Sequence, residues 1–201
     1  MSFLASRESH APQGMGKSVP RREDARLLIG AGQYADDFNL PGQTCAYLVR
    51  SPHAHARVLK IDVAHAVDGP GVIVVLTGSD AAADGLKPIP HSPVPANPHE
   101  VPLRNRDGSG FFIAPHPVLA VDVVRYVGEP IAIVVAETLA RAMDAAERIE
   151  AVYEPLAAVA GSKDALSPGA PFVWEQHGSN RCIDSETGDK DGTEAGCSPR
   201  R

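Results

Sequence analysis

Apolar positions change their spacing several times along this chain, and each spacing predicts a different element. Thr44 to Arg50 is rich in β-formers and follows a Pro41-Gly42 turn, which predicts a strand. Arg57 to Asp62 alternates apolar and polar side chains, as a half-buried strand does. Val63 to Val67 reads as a short helix capped by Asp62. Gly71 to Thr77 is an unbroken apolar run, the mark of a strand buried on both faces. Ser79 or Asp80 then stands where a cap is needed for the alanine turn that follows. Regular structure resumes over Val118 to Val127, and Pro130 to Ala136 forms a second fully apolar strand. Thr138 to Ile149 is the clearest helix: Leu139, Ala142, Met143, Ala146 and Ile149 make one apolar stripe. Asp144 and Arg148, four apart on its outer side, are spaced to pair. Glu150 to Glu154 is a closing strand ended by Pro155.

The remaining stretches lack such periodicity. Residues 1–19 are polar and small and predict a flexible arm. Eight prolines between Gly85 and Pro117 break any regular element, and loops of that length are functional or disordered. From Ser162 the chain turns polar, with one short apolar patch at Pro171-Phe172-Val173-Trp174. The expected class is α+β: a domain over residues 20–160 with a short mixed sheet and few helices, a flexible arm at 1–19, and a tail over 161–201.

Composition narrows the function. The 201 residues, 43% of them hydrophobic, suffice for one self-supporting core. A formal net charge of -6 argues against nucleic-acid binding, which needs a basic face to displace counterions. No apolar run reaches the roughly 20 residues that span a bilayer, and no secretory signal opens the chain, so a cytoplasmic location is expected. The three cysteines, Cys45, Cys182 and Cys197, are far apart, which fits a reducing compartment and leaves too few thiolates for a four-cysteine iron–sulfur cluster.

Few motifs bear chemistry. Gly30-Ala31-Gly32-Gln33-Tyr34-Ala35 matches G-x-G-x-x-A, but a dinucleotide site needs a helix next, and Asp36 to Pro41 reads as a turn. The glycines are expected to serve a tight turn. His53-Ala54-His55 would share one face of an extended chain as a metal pair, but only His65 lies near, and zinc needs further ligands. The expected role of the pair is bonding to backbone at a strand start. Pro90-His91-Ser92-Pro93 and Pro95-Ala96-Asn97-Pro98 match P-x-x-P in an ordinary proline-rich loop. Glu129, in Tyr126-Val127-Gly128-Glu129-Pro130, stands at a bend before a buried strand. There its carboxylate is expected to accept backbone N–H bonds, since no paired acid or histidine is evident for catalysis. Arg21, Arg22 and Asp24 are placed for surface ion pairs.

An ordered series of segments resembles the large, molybdopterin-binding subunit of the xanthine dehydrogenase and aldehyde oxidase family, the carbon monoxide dehydrogenase type above all. The segments are Arg21-Arg22-Glu23-Asp24, Leu27 to Asp37, Val49-Arg50-Ser51-Pro52-His53-Ala54-His55-Ala56-Arg57, Ile61-Asp62, Pro70-Gly71-Val72, Val75 to Asp80, Val124 to Ala132, and Val152 to Leu156. The resemblance implies an α/β hammerhead domain that packs against molybdenum-binding domains and supplies few or no residues to the metal. It therefore assigns no catalytic, cofactor-binding or metal-ligating residue to this chain. For the intact subunit it implies a molybdopterin cytosine dinucleotide type of molybdenum cofactor, with flavin-binding and iron–sulfur subunits as partners. The expected function is that of an N-terminal fragment of a molybdenum hydroxylase large subunit, inactive by itself. The alternative is a stand-alone interaction module docking on another subunit. The ending Cys197-Ser198-Pro199-Arg200-Arg201 departs from the apolar run that the family carries after Gly188-Asp189-Lys190, and suggests a frameshift or premature stop near Gly196, or else a natural short paralogue. A further expectation is exposed apolar surface where the missing domains would pack.

Overall fold

The computed structural model describes residues 21–91 and 103–197. The arm at 1–19, the second half of the Pro90-His91-Ser92-Pro93 motif, the whole of the Pro95-Ala96-Asn97-Pro98 motif and the last four residues lie outside the described residues. The chain divides into two compact units at Gln43/Thr44.

In the first unit, helix α1 (Asp24–Leu28) is followed by a turn and a single 3-10 turn at Ala35–Asp37. Asp24 accepts from the Arg21 N–H at 3.0 Å, and Arg26 pairs with Glu23. Gly30 has φ +75, the left-handed region that glycine enters without a Cβ clash. The G-x-G-x-x-A string thus follows the end of helix α1 and runs into a single 3-10 turn, where a dinucleotide site would have a strand before it and a full helix after it. The string has the turn role the sequence suggested.

The second unit holds two three-stranded sheets. The first contains β1 (Cys45–Arg50), β3 (Val72–Thr77) and β5 (Pro130–Ala136), in the order β1-β5-β3. The second contains β2 (Ala56–Asp62), β4 (Val123–Val124) and β6 (Glu150–Pro155), in the order β4-β2-β6. Every pairing is antiparallel. The α+β class holds, but the expected short mixed sheet is two purely antiparallel ones. Val118 to Val127 yields only the two-residue β4, the rest of that stretch being bends and turns.

Helices α2 (Ala64–Val67) and α3 (Gly78–Ala83) flank β3. The Asp62 carboxylate accepts the Ala64 N–H at 3.1 Å, as its place before α2 predicts. The cap of α3 lies earlier than expected. It is Thr77, whose N–H and hydroxyl both donate to Asp80, at 2.7 and 2.6 Å, in a reciprocal first-turn arrangement that Asp80 completes from the third helical position. Gly78 opens α3 against the chain at Ala120, and a Cβ there would stand 2.2 Å from the Ala120 carbonyl oxygen.

Helix α4 (Leu139–Ala146) is capped by Thr138, whose hydroxyl accepts the Arg141 N–H at 3.3 Å. Its buried stripe is the expected one in part. Ala142 and Ala146 are buried and Ile149 packs on the core as expected, Ala145 joins them, and Leu139 and Met143 are exposed instead. Small side chains let the helix sit close on the sheet. The expected Asp144–Arg148 pair does not form; Arg141 pairs with Glu137 instead. The resulting core joins Ala66, Val75, Val134, Ala136, Ala142, Ala145 and Ala146. A second core, of Ala56, Ala120, Val124 and Ile131, lies between the two sheets. Both draw on β5, which therefore has apolar side chains on both faces, as its sequence predicts.

The turn from β4 to β5 links the sheets. Ser51 and Glu129 are 2% and 5% exposed, and they are the buried polar residues among those described. The Ser51 N–H donates to the Glu129 carbonyl at 2.9 Å, and the Gly128 N–H donates to the Ser51 carbonyl at 2.8 Å. Arg50 Nη1 donates to the Gly128 carbonyl at 2.8 Å. The Glu129 carboxylate accepts the Arg125 N–H in a short bond. This is the structural use of Glu129 that the bend suggested.

After β6, residues 171–186 return to residues 105–112. The Arg106 and Phe112 N–H groups donate to the Asp184 and Cys182 carbonyls at 2.8 and 3.1 Å. Phe112 stacks on His177 with ring centres 3.9 Å apart. The Arg125 guanidinium lies 3.7 Å above the Trp174 ring, and burial pushes its pKa down from the usual arginine value. The Arg106 guanidinium beside Asp184 holds that carboxyl below the ordinary carboxylate range.

Two substitutions test this architecture by urea unfolding. Gly78→Ala drives a methyl group into the Ala120 carbonyl and is expected to cost about 1–3 kcal/mol. Glu129→Leu strands the Arg125 N–H without an acceptor and is expected to cost about 1–3 kcal/mol, while Glu129→Gln, which keeps an oxygen acceptor, loses clearly less.

Candidate docking face

The two faces of the first sheet follow from its register. Tyr47, Val75 and Val134 are paired across the sheet, so they share the face toward α4. On the opposite face Ala46 pairs with Val135 and Leu48 with Ile133, while Val74 and Leu76 pair with the same two β5 residues from the other side. These six side chains are all apolar and none of them is buried. Ile131 lies on that same face and is covered by the second core. From Ile133 onward its side chains are half-exposed, at Leu48, Val74, Ile133 and Val135, or exposed, at Ala46 and Leu76.

This corrects the expectation for β3. Its unbroken apolar run predicts burial on both faces, yet Ile73 is 56% exposed and Leu76 36% exposed. As an edge strand, β3 is covered only on the side of α2 and α4. A polar outer face would satisfy such a strand in a free-standing domain; an apolar one needs a cover. The expectation of exposed apolar surface is met here.

The other candidates take bland places. His55 Nδ1 lies 2.8 Å from the Ala157 carbonyl oxygen, bonding to backbone at the start of β2. The His53 ring packs on Tyr153 with centres 4.7 Å apart, and the His53 backbone N–H donates to Ser51 Oγ at 3.1 Å. Burial pushes the Tyr153 phenol up from its ordinary pKa, against a smaller opposing effect of its hydrogen bond to Ser51. Among the described residues, no three His, Cys, Asp or Glu side chains gather to hold a metal. The cysteines stay free and apart: Cys45 and Cys182 half-buried, Cys197 exposed. Arg21 and Arg22 form no ion pair; Asp24 bonds only to backbone.

Sequence reasoning missed three features. Ser51 gave no signal of burial, because its polar neighbours read as loop. The Arg125–Trp174 stack joins residues whose sequence separation leaves no local trace. A cleft of about 510 Å³ along β1 and α4, lined by residues 46–50 with Met143, Ala146 and Glu147, was equally invisible.

Residues 29–157 match the family described as aldehyde oxidase and xanthine dehydrogenase, a/b hammerhead domain. The carbon monoxide dehydrogenase large chain of Afipia carboxidovorans is 37% identical over 195 residues, covering 91% of this chain and 22% of its own. The nicotine 6-hydroxylase large subunit of Paenarthrobacter nicotinovorans is 40% identical over 156 residues, covering 73% of this chain and 17% of its own. Among solved structures, the Cu,Mo-CO dehydrogenase in its carbon monoxide reduced state superposes with a TM-score of 0.66 at 34% identity, covering 91% of this chain and 22% of that one. The chain thus spans about a fifth of the length of the large subunits it matches. No helix among the described residues is long and apolar enough to cross a membrane. The sequence order of motifs, the two antiparallel sheets and these matches agree, and the chain belongs to the aldehyde oxidase and xanthine dehydrogenase family, matching the hammerhead portion of its molybdenum hydroxylase large subunits.

Proposed function

We propose that this chain works as the packing part of a molybdenum hydroxylase large subunit, with no residue of its own in the reaction. The observation that carries this reading is the uncovered apolar face of the first sheet, Ala46, Leu48, Val74, Leu76, Ile133 and Val135, in a chain matching a fifth of its relatives' length. Such a face is stable in water only when another surface removes it from solvent, at roughly 25 cal/mol per Å² buried. The remainder of the large subunit is the surface proposed.

The intact subunit would carry a molybdenum cofactor, of the molybdopterin cytosine dinucleotide type, and would work with flavin-binding and iron–sulfur subunits in the cytoplasm. The residues described here do not fit that cofactor. The cleft along β1 and α4 is lined mostly by aliphatic side chains, the one between residues 105–109 and 177–184 by Arg106 and Arg181, which are already paired with Asp184, and among the described residues no cluster of metal-ligating groups accompanies them. The cofactor would be held by other parts of the subunit, and the substrate pocket with it. The stand-alone interaction module is the less favoured alternative, because the relatives this chain matches include large subunits of which it spans about a fifth.

Two measurements test the reading. The purified chain is expected to contain no molybdenum and to reduce no dye with aldehydes, N-heterocycles or carbon monoxide; activity that follows its molybdenum content would refute it. Leu76→Lys on the uncovered face is expected to leave the circular dichroism spectrum unchanged and to lower self-association in sedimentation. Equal, monodisperse behaviour of both proteins at high concentration would show that the face needs no cover.

A further inference from the structure

The two flanks of the proline-rich loop meet at one point. The Ile89 N–H donates to the His116 carbonyl at 2.8 Å, which sets the two chain segments side by side. Just beyond it, the imidazoles of His91 and His116 face each other with centres 6.0 Å apart and planes at 85°. His91 Nδ1 lies 3.1 Å from the Ile89 carbonyl oxygen, so it serves as the donor and leaves the Nε2 lone pair free. Both residues are exposed, which gives an ion a path of entry.

Two exposed imidazoles this close are within reach of one shared metal ion after side-chain rotation. With each metal–nitrogen bond about 2.0–2.1 Å long, two rings on one ion have centres roughly 5–6 Å apart. A carbonyl accepting from the other ring nitrogen fixes the tautomer and aims the ligand, as the Ile89 carbonyl does for His91. Imidazole nitrogen favours Cu²⁺, Ni²⁺ and Zn²⁺ over Mg²⁺ and Ca²⁺. Among the described residues no third His, Cys, Asp or Glu joins the pair. Cu²⁺ heads the affinity order of these ions at nitrogen ligands. The histidine pair singled out in the sequence, His53 and His55, is engaged elsewhere, with Tyr153 and the Ala157 carbonyl.

We propose that His91 and His116 form a two-histidine site for a divalent transition-metal ion, Cu²⁺ foremost, that clips together the flanks of the 85–117 loop. The test is titration of the full chain with Cu²⁺, followed by calorimetry and electron paramagnetic resonance. The expected result is one tighter ion per chain, with hyperfine structure from two imidazole nitrogens. Because the second imidazole acts intramolecularly, His91→Gln and His116→Gln should each weaken that site about tenfold or more. His65→Gln should leave it unchanged, and circular dichroism should show all three variants folded. The proposal is overturned if the chain takes up no Cu²⁺ with two-nitrogen coordination, or if either the His91 or the His116 variant binds it as tightly as the parent.

Discussion

The bond from the Arg125 N–H to the Glu129 carboxylate holds the second unit together. Both sheets end at this turn. β4 enters it, β5 leaves it, and β1 reaches it through the paired backbone of Ser51 and Glu129. A carboxylate taken out of water is costly unless hydrogen bonds replace its hydration, and here the turn's own backbone supplies one. The exchange makes the turn specific, because a residue at position 129 without a side-chain oxygen leaves the Arg125 N–H without its acceptor. Position 51, at the end of the neighbouring strand β1, answers with a side chain just as buried.

Around that joint the packing uses small residues. The core on the α4 side contains five alanines and two valines, so its strength lies in close approach and not in large side chains. Gly78 allows the same closeness where α3 meets the chain at Ala120. A domain built in this way buries little apolar area for its size. The apolar area it does possess, on β1, β3 and β5, faces outward on the second side of the first sheet. Such a molecule is organised to be completed by a neighbour.

The segment after β6 adds a second long-range tie. Backbone bonds from Arg106 and Phe112, the Phe112–His177 stack and the Arg106–Asp184 pair return residues 171–186 to residues 105–112. The ion pair is exposed and contributes modestly. The stack and the Arg125–Trp174 contact remove aromatic surface from water, and they contribute more.

By itself the sequence determined the elements and the family. Alternation marked β2, the unbroken apolar runs marked β3 and β5, and helical spacing with Thr138 ahead marked α4, because these signals arise from neighbours along the chain. The ordered motifs carried the family, and the bend before Pro130 foretold how Glu129 is used. Tertiary structure decided which strands pair, and so which face of each is left to solvent. It split one expected mixed sheet into two antiparallel ones and placed β3 at an edge. It also turned α4 so that Ala145 is buried and Leu139 and Met143 are not. These outcomes depend on contacts between residues far apart in the chain. Hydrophobicity states that a side chain seeks cover, but only the assembled layers settle whether this chain or another provides it.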